Sequence, residues 1–300
     1  MRGVFFIVGP TAAGKSELAA DVAHALGAEI ISADAFQLYR GFDILSAKPS
    51  AATLAKAPHH LIGEIDPAEE MNVAKFASRA RELIFDLRGR QKSVIVVGGT
   101  GLYVRALTHG LSPLPQGDAS LRAELNLKTT DELVEQLTKL DPVTVTTIDL
   151  RNRRRLIRAI EICVASGAPA SAQRVSTEPL EKPIGVLVYR EREELLARIN
   201  QRAVRMLDEG AIDEVQQPGP MSTTSSQMIG FNEIRRLHAG EISRDECIEN
   251  IQRATRQYAK RQLTWFRGQT NFESLNLSQI SVAEAIEWTA RRARLSIVHD

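Results

Sequence analysis

Eight residues near the start of the chain have the types and spacing to hold an anion. Gly9-Pro10-Thr11-Ala12-Ala13-Gly14-Lys15-Ser16 fits the pattern G-x-x-x-x-G-K-S/T. It follows the apolar run Val4 to Val8 and opens the helical pattern Lys15 to Leu26, which is the strand-loop-helix context of a phosphate-binding loop. The glycines let successive backbone N–H groups curl around an anion, and the helix N-terminus adds partial positive charge. Lys15 brings a full charge, and the Ser16 hydroxyl suits Mg²⁺. The ligand is therefore a diphosphate or polyphosphate. The strand Val94 to Val97 ends in Gly98-Gly99-Thr100 with no carboxylate, so the acidic Mg²⁺ ligand of an ordinary ATP-hydrolysing site is missing from that strand.

Asp34 and Thr100 each stand just past a predicted strand. In a parallel sheet they share the carboxyl edge with the phosphate loop. Asp34 can be a general base acting on an incoming nucleophile, or the N-cap of the segment that follows, and position alone does not separate the two. Arg198 and Arg202, four apart on a helix, read either as two surface arginines or as a pair reaching into the same anion site. Two further stretches are cationic. Arg151 to Arg158 holds five arginines and no acid. From Asn250 to Asn271 no acidic residue occurs, and Arg253, Arg256, Lys260, Thr264 and Arg267 fall within roughly one 80° sector of a helix. Ile251, Tyr258 and Trp265 take the opposite side. One packed face and one single-sign face point to a polyanion such as RNA. His59-His60 lacks a further ligand pattern and reads as structural.

The elements that must position these residues are legible in outline. Strand candidates at Val4 to Val8, Glu29 to Ser32, His60 to Ile65 and Ser93 to Val97 alternate with helices, the pattern of a parallel sheet wound on both faces. From Asp118 to about Pro183 only helical signals occur, including a start at Asp141-Pro142 and a strong helix from Arg153 to Ser166. Ile184 to Tyr189 then returns to strand. The expected architecture is a P-loop NTPase-like core over 1–112 and 184–300, with an all-helical insertion over 113–183. The rest reads as mostly helical, with Ser243 followed by Glu246 as a capping-box pattern for the long basic helix. Pro218-Gly219-Pro220 and the run Ser222 to Ser226 read as an exposed loop.

Composition bounds the rest. The chain has 300 residues, 43 % of them hydrophobic, enough for a sizeable core without staples. Its 38 basic and 37 acidic residues give a formal net charge of +1, so affinity for nucleic acid must come from local clusters. Cys163 and Cys247 alone make neither a disulfide scaffold nor a multi-cysteine zinc finger, and read as small buried hydrophobes. No apolar run approaches the roughly 20 residues of a membrane span. With no leader pattern ahead of the first strand, the expected location is the cytoplasm.

These segments, taken in order, resemble the tRNA dimethylallyltransferase (tRNA isopentenyltransferase) family. The resemblance rests on the phosphate loop, on Ile31 to Gly41, on Ala47-Lys48-Pro49 with Pro58 to Leu61, on Val97 to Tyr103, on Leu111 to Pro115 and on Thr255 to Arg267. It implies transfer of a dimethylallyl group from dimethylallyl diphosphate to N6 of adenosine 37 in tRNAs reading codons that begin with U. It further implies Asp34 as base, Thr100 as the residue positioning the amine and the allylic diphosphate, and Lys15, Mg²⁺ and Arg202 as neutralisers of the departing diphosphate. Positions implied for tRNA contact are Asp34, Ala35, Phe36, Gln37, Thr100, Arg122, Arg154, Arg155, Arg158, Gln227 and Gly230, with Arg256 and Lys260 on the basic helix. The chain departs from the family pattern at Ala35, where Ser is usual, and at Leu45-Ser46, where Gly-Thr is usual. Rival readings are an adenylate isopentenyltransferase, a nucleoside-type kinase and a catalytically silent RNA-binding protein.

Overall fold

The computed structural model describes residues 3–173, 183–216 and 219–297. The described residues divide into two compact units, one within Met1–Thr108 and Pro179–Asp300, the other within His109–Glu178. The division drawn from sequence placed the helical segment at 113–183.

The first unit opens with β1 (Val4–Val8), α1 (Lys15–Leu26), β2 (Glu29–Ser32), α2 (Ala51–Leu54), β3 (His59–His60), α3 (Val73–Gly89), β4 (Val94–Gly98) and α4 (Gly101–Thr108). The second unit holds α5 (Ala119–Leu127), α6 (Thr130–Leu140), α7 (Pro142–Thr147), α8 (Arg153–Ser166) and α9 (Ala170–Gln173). The chain re-enters the first unit with β5 (Ile184–Tyr189), α10 (Arg192–Asp208), α11 (Ala211–Gln216), a 3₁₀ turn at Ser225–Gln227 and α12 (Phe231–His238). It ends with α13 (Arg244–Gln269), β6 (Glu273–Asn276) and α14 (Val282–Ile297).

The six strands form one sheet in the order β3-β2-β4-β1-β5-β6. Every pairing is parallel. β1, β2 and β4 are buried along their whole length, which is why they read as continuous apolar runs without alternation. Helices cover both faces. Phe6, Val8, Ile31 and Val96 pack on one side with Phe76, Tyr103, Phe231 and Phe266. Phe5, Ile7, Ile30 and Ile95 pack on the other with Leu18, Val22 and Ala293. The two cysteines are buried, and neither is in a disulfide among the described residues.

The helical unit has its own core, in which Leu125, Leu133, Leu137, Leu156 and Ile160 meet. Its ends are capped as the sequence reading expects for Asp141-Pro142: the Asp141 carboxylate accepts from Thr144 N–H at 3.0 Å, with Pro142 in the first turn. Asp141 also accepts from Ser171 N–H at 2.7 Å and from the hydroxyls of Thr144 and Ser171. These bonds outweigh its burial and bring the carboxyl down to about 2.

Three expectations are corrected or extended. The strand foreseen from His60 to Ile65 is only His59–His60, with an isolated bridge between Tyr39 and Ile65. Leu61 and Gly63 take positive φ, which breaks the extended run. The mostly helical tail also holds a strand that the reading did not foresee: Glu273–Asn276 adds an edge beside β5, and since its polar residues carry no strand pattern, pairing with an existing edge makes it one. The run Ser222 to Ser226 is not simply an exposed loop. Ser222 and Ser225 are buried, and Ser225 donates to the Pro67 carbonyl at 2.7 Å, so the hydroxyls satisfy buried backbone. Pro218 lies outside the described residues.

Candidate active site

The phosphate loop joins β1, an inner strand, to α1 at the carboxyl edge of the sheet. Gly9 is required by close approach, since a Cβ there would lie 2.0 Å from the Val188 carbonyl oxygen of β5. Gly14 takes φ +96° and turns the chain into α1, and Ala12 sits at φ +65°, a strained position for a residue with a Cβ. With its curl fixed this way, the loop is braced from outside. Arg190 Nε donates to Ala13 O at 3.0 Å, Arg198 Nε to Ala12 O at 2.8 Å, and Arg202 Nη1 to Thr11 Oγ1 at 3.1 Å. Gln262 of α13 accepts from Thr11 N–H at 2.8 Å. Lys15 Nζ donates to Pro10 O at 2.7 Å. Burial lowers the Lys15 amine to about 8, with Asp34 pulling it up and Arg202 pushing it further down.

Asp34 caps its turn and also lines the cavity. Its Oδ1 accepts from Phe36 N–H at 3.0 Å and more weakly from Gln37 N–H at 3.5 Å, capping the turn after β2. Its Oδ2 makes no hydrogen bond among the described residues and belongs to a group that lines the cavity. Thr100 stands beside it: Thr100 Oγ1 accepts from Ala35 N–H at 3.0 Å, and Thr100 N–H donates to Ala33 O at 3.2 Å. The loops after β2 and β4 are thus tied together at the Asp34 turn. The phenol of Tyr258 on α13 is pushed far above its usual range, first by burial and then by the Asp34 charge.

A cavity of about 840 Å³ runs along this edge, lined by Lys15, Ser16, Asp34, Gln37, Lys48 and Arg202, among others. Next to it is a smaller apolar pocket lined by Phe36, Leu45, Ile199, Met228, Ile251 and Tyr258. Thr11, Asp34 and Arg202 line both. An anion site and an apolar pocket therefore meet at a carboxylate with an unused oxygen. Ser16 opens α1 within the cavity, and among the described residues no trio of His, Cys, Asp or Glu is placed to hold a metal. That donor set fits Mg²⁺ held mainly by diphosphate oxygens and water, with Ser16 as the protein ligand.

The structure thus gathers the phosphate loop, Asp34, Gln37 and Arg202 at one cavity and Phe36 in the apolar pocket, whereas Ala35 and Thr100 line neither and meet each other beside Asp34. Gln227 ends the 3₁₀ turn, and Gly230 takes φ +96° at the start of α12, where a Cβ would lie 3.0 Å from Leu45 Cδ1. On α13, Lys260 is exposed, whereas Arg256 donates to Asn200 Oδ1 at 2.8 Å. Arg122, Arg154, Arg155 and Arg158 belong to the helical unit. Arg122 forms two hydrogen bonds of 2.7 and 2.8 Å with buried Glu161, and Arg158 donates to Glu161 and to Pro115 O. Arg154 and Arg155 are exposed.

Sequence reasoning missed Glu214 of α11. Its carboxylate accepts from the N–H groups of Asp43, Ile44 and Leu45, each at 2.8 Å, and so shapes the loop that lines the cavity. No local pattern marks it, because its partners lie about 170 residues away. Gln262 and Arg190 were also not singled out, although Gln262 lies in a quoted block of the resemblance.

A phosphate loop between an inner strand of an all-parallel sheet and the helix that follows defines a P-loop α/β protein. Within that class the comparisons are specific. The chain belongs to the IPP transferase family, whose model matches residues 37–269. It is 42 % identical over 274 residues to tRNA dimethylallyltransferase 1 of Citrifermentans bemidjiense, covering 88 % of each chain. The solved tRNA isopentenylpyrophosphate transferase of Bacillus halodurans is 34 % identical, with a TM-score of 0.71 over 99 % of this chain and 98 % of that one. A eukaryotic dimethylallyltransferase captured acting on tRNA is 26 % identical, with a TM-score of 0.80 over 97 % of this chain and 77 % of its own.

Proposed function

We propose that this protein transfers a dimethylallyl group from dimethylallyl diphosphate to N6 of adenosine 37 of tRNA. The family membership supports tRNA prenylation. The observation that carries the chemistry is the meeting of the anion cavity and the apolar pocket at Asp34, Thr11 and Arg202. A donor with a polyanionic head and a short apolar tail matches that junction.

The adenine amine is a weak nucleophile, because its lone pair is delocalised into the ring. The unused Oδ2 of Asp34 takes the N6 proton as the N–C bond forms. The C–O bond to the diphosphate breaks in the same displacement, and the leaving oxygen gains charge. Lys15, Arg202 and the loop N–H groups stabilise that charge. Thr100 holds the Asp34 turn through Ala35 N–H and orients the amine. Ser16 would hold Mg²⁺, which would supply further neutralisation of the diphosphate. The target base must leave its stack to reach the carboxylate. Arg155 of the helical unit and Lys260 and Arg253 of α13 are exposed cations suited to the phosphates of the anticodon stem-loop. Arg122 and Arg158 contribute there only while also holding Glu161.

The deciding experiment offers dimethylallyl diphosphate labelled at C1, with an anticodon stem-loop carrying adenosine 37 and, in parallel, AMP. Label on the stem-loop alone, lost in Asp34→Ala, is the expected result. Label on AMP alone would make the protein an adenylate isopentenyltransferase. Label on neither, with ATP turnover, would make it a kinase.

A further inference from the structure

α13 reaches the carboxyl edge of the sheet through one buried amide. Gln262 is 5 % exposed. Its Oε1 accepts from Thr11 N–H of the phosphate loop at 2.8 Å, and its Nε2 donates to Gly99 O of the loop after β4 at 2.9 Å. A primary amide offers an acceptor and a donor from one planar head, so a single side chain satisfies both backbone groups. Tyr258, one turn earlier on α13, has the side chains of Gln262 and Thr100 near its phenol. Thr100 in turn receives Ala35 N–H, next to Asp34. Gln262 therefore ties Thr11 of the phosphate loop to Gly99, and Thr100, the next residue along, ties that same loop to the Asp34 turn. The fit is tight. A Cβ on Gly99 would lie 2.2 Å from Gln262 Nε2, and one on Gly101 would lie 2.4 Å from the Trp265 ring, so α13 docks where only glycine leaves room.

We propose that Gln262 is a positioning residue that holds the phosphate loop in register with the Asp34–Thr100 loops. The inference rests on the reading of the site as a prenyl-transfer centre. It assigns the diphosphate and the base to two loops whose spacing α13 sets. An apolar side chain of similar size would fill the space. It would leave Thr11 N–H and Gly99 O unpaired in the interior, and the loops would drift to find other partners. A misplacement of about 1 Å between leaving group and base is enough to slow a displacement about a hundredfold.

The test measures kcat and KM for both substrates in the wild type, Gln262→Met, Gln262→Ala, Gly99→Ala and the double variant Gln262→Ala/Gly99→Ala. Inorganic diphosphate is titrated calorimetrically into each protein, and melting is followed in parallel. Gln262→Met is expected to raise the donor KM and the diphosphate Kd about tenfold and to lower kcat, while the stem-loop KM stays within about twofold. Gly99→Ala pushes the amide out and reproduces that pattern. In the Gln262→Ala background, where the space is open, Gly99→Ala adds less than about twofold, a coupling that independent sites would not show. Should Gln262→Met fail to fold, Gly99→Ala and the double variant still decide the matter. The proposal is overturned if donor KM and diphosphate affinity in Gln262→Met stay within about twofold of wild type, if both KM values rise together, or if the two substitutions prove additive. A wild type that transfers nothing to the stem-loop would sink the prenyl-transfer reading instead, and the diphosphate titration would still report on Gln262.

Discussion

Asp34 holds its turn with one carboxylate oxygen and leaves the other for the cavity, and substitutions can separate the two roles. Asp34→Asn keeps an acceptor for Phe36 N–H but offers no base. It should lower kcat by about 10²- to 10⁴-fold, with melting near that of wild type. Asp34→Ala removes the cap as well and should also lower stability by about 1 kcal/mol. The two differ in a thermal melt, not in the loss of transfer. Lys15 gives a pH signature. Its amine is lowered to about 8 by burial, and only the ammonium form attracts an anion. Diphosphate affinity should be flat below that pH and fall as pH rises above it, by up to about tenfold per unit, because binding must then take up a proton. Calorimetric titration of inorganic diphosphate across this range checks the slope, and Lys15→Ala should abolish it.

Two helices organise the site without reacting in it. On α11, Glu214 binds three consecutive N–H groups of the 43–45 loop through charge-assisted bonds. Glu214→Ala should cost about 1–3 kcal/mol in a denaturant melt and raise the donor KM, because the loop carrying Lys48 loses its anchor. Glu214→Gln, which keeps one acceptor oxygen, should fall between the two. α13 works on both of its sides. Gln262 and Phe266 are buried, while Arg253, Lys260 and Arg267 are exposed. The sector of like charge along its exposed side was legible from helical spacing alone. Arg256 is the exception, because Asn200 of α10 takes its guanidinium.

For the molecule as a whole, a formal net charge of +1 provides no general attraction to RNA, so binding must follow the local cations. Stem-loop affinity should fall linearly with log salt, and Arg155→Ala should reduce that slope by about 1 without moving the melt. Arg122→Ala should behave differently. It removes a two-bonded partner from Glu161, which is 1 % exposed, and should lower stability by about 1–3 kcal/mol alongside any loss of binding. Measuring salt slope and melting together separates a phosphate contact from a structural pair. Among the described residues, no helix is long and apolar enough to cross a membrane.

Local chemistry decided what the sequence by itself could determine. The phosphate loop, the strands buried on both faces, the capped helix starts and the like-charged face of α13 each depend on residues within a few turns of one another. Their spacing therefore carried the information. The rest depends on pairs far apart in the chain. β6 is a strand only because β5 offers it an edge, and Ser225 is buried only because Pro67 supplies a carbonyl. Asp34 looked like either a cap or a base; the structure shows the cap, and only the fold brings this residue to the cavity with its second oxygen unbonded among the described residues. Glu214 and Gln262 gain their partners across about 170 and about 250 residues respectively. A buried polar group must find a partner wherever the fold provides one, and no spacing along the chain records that choice.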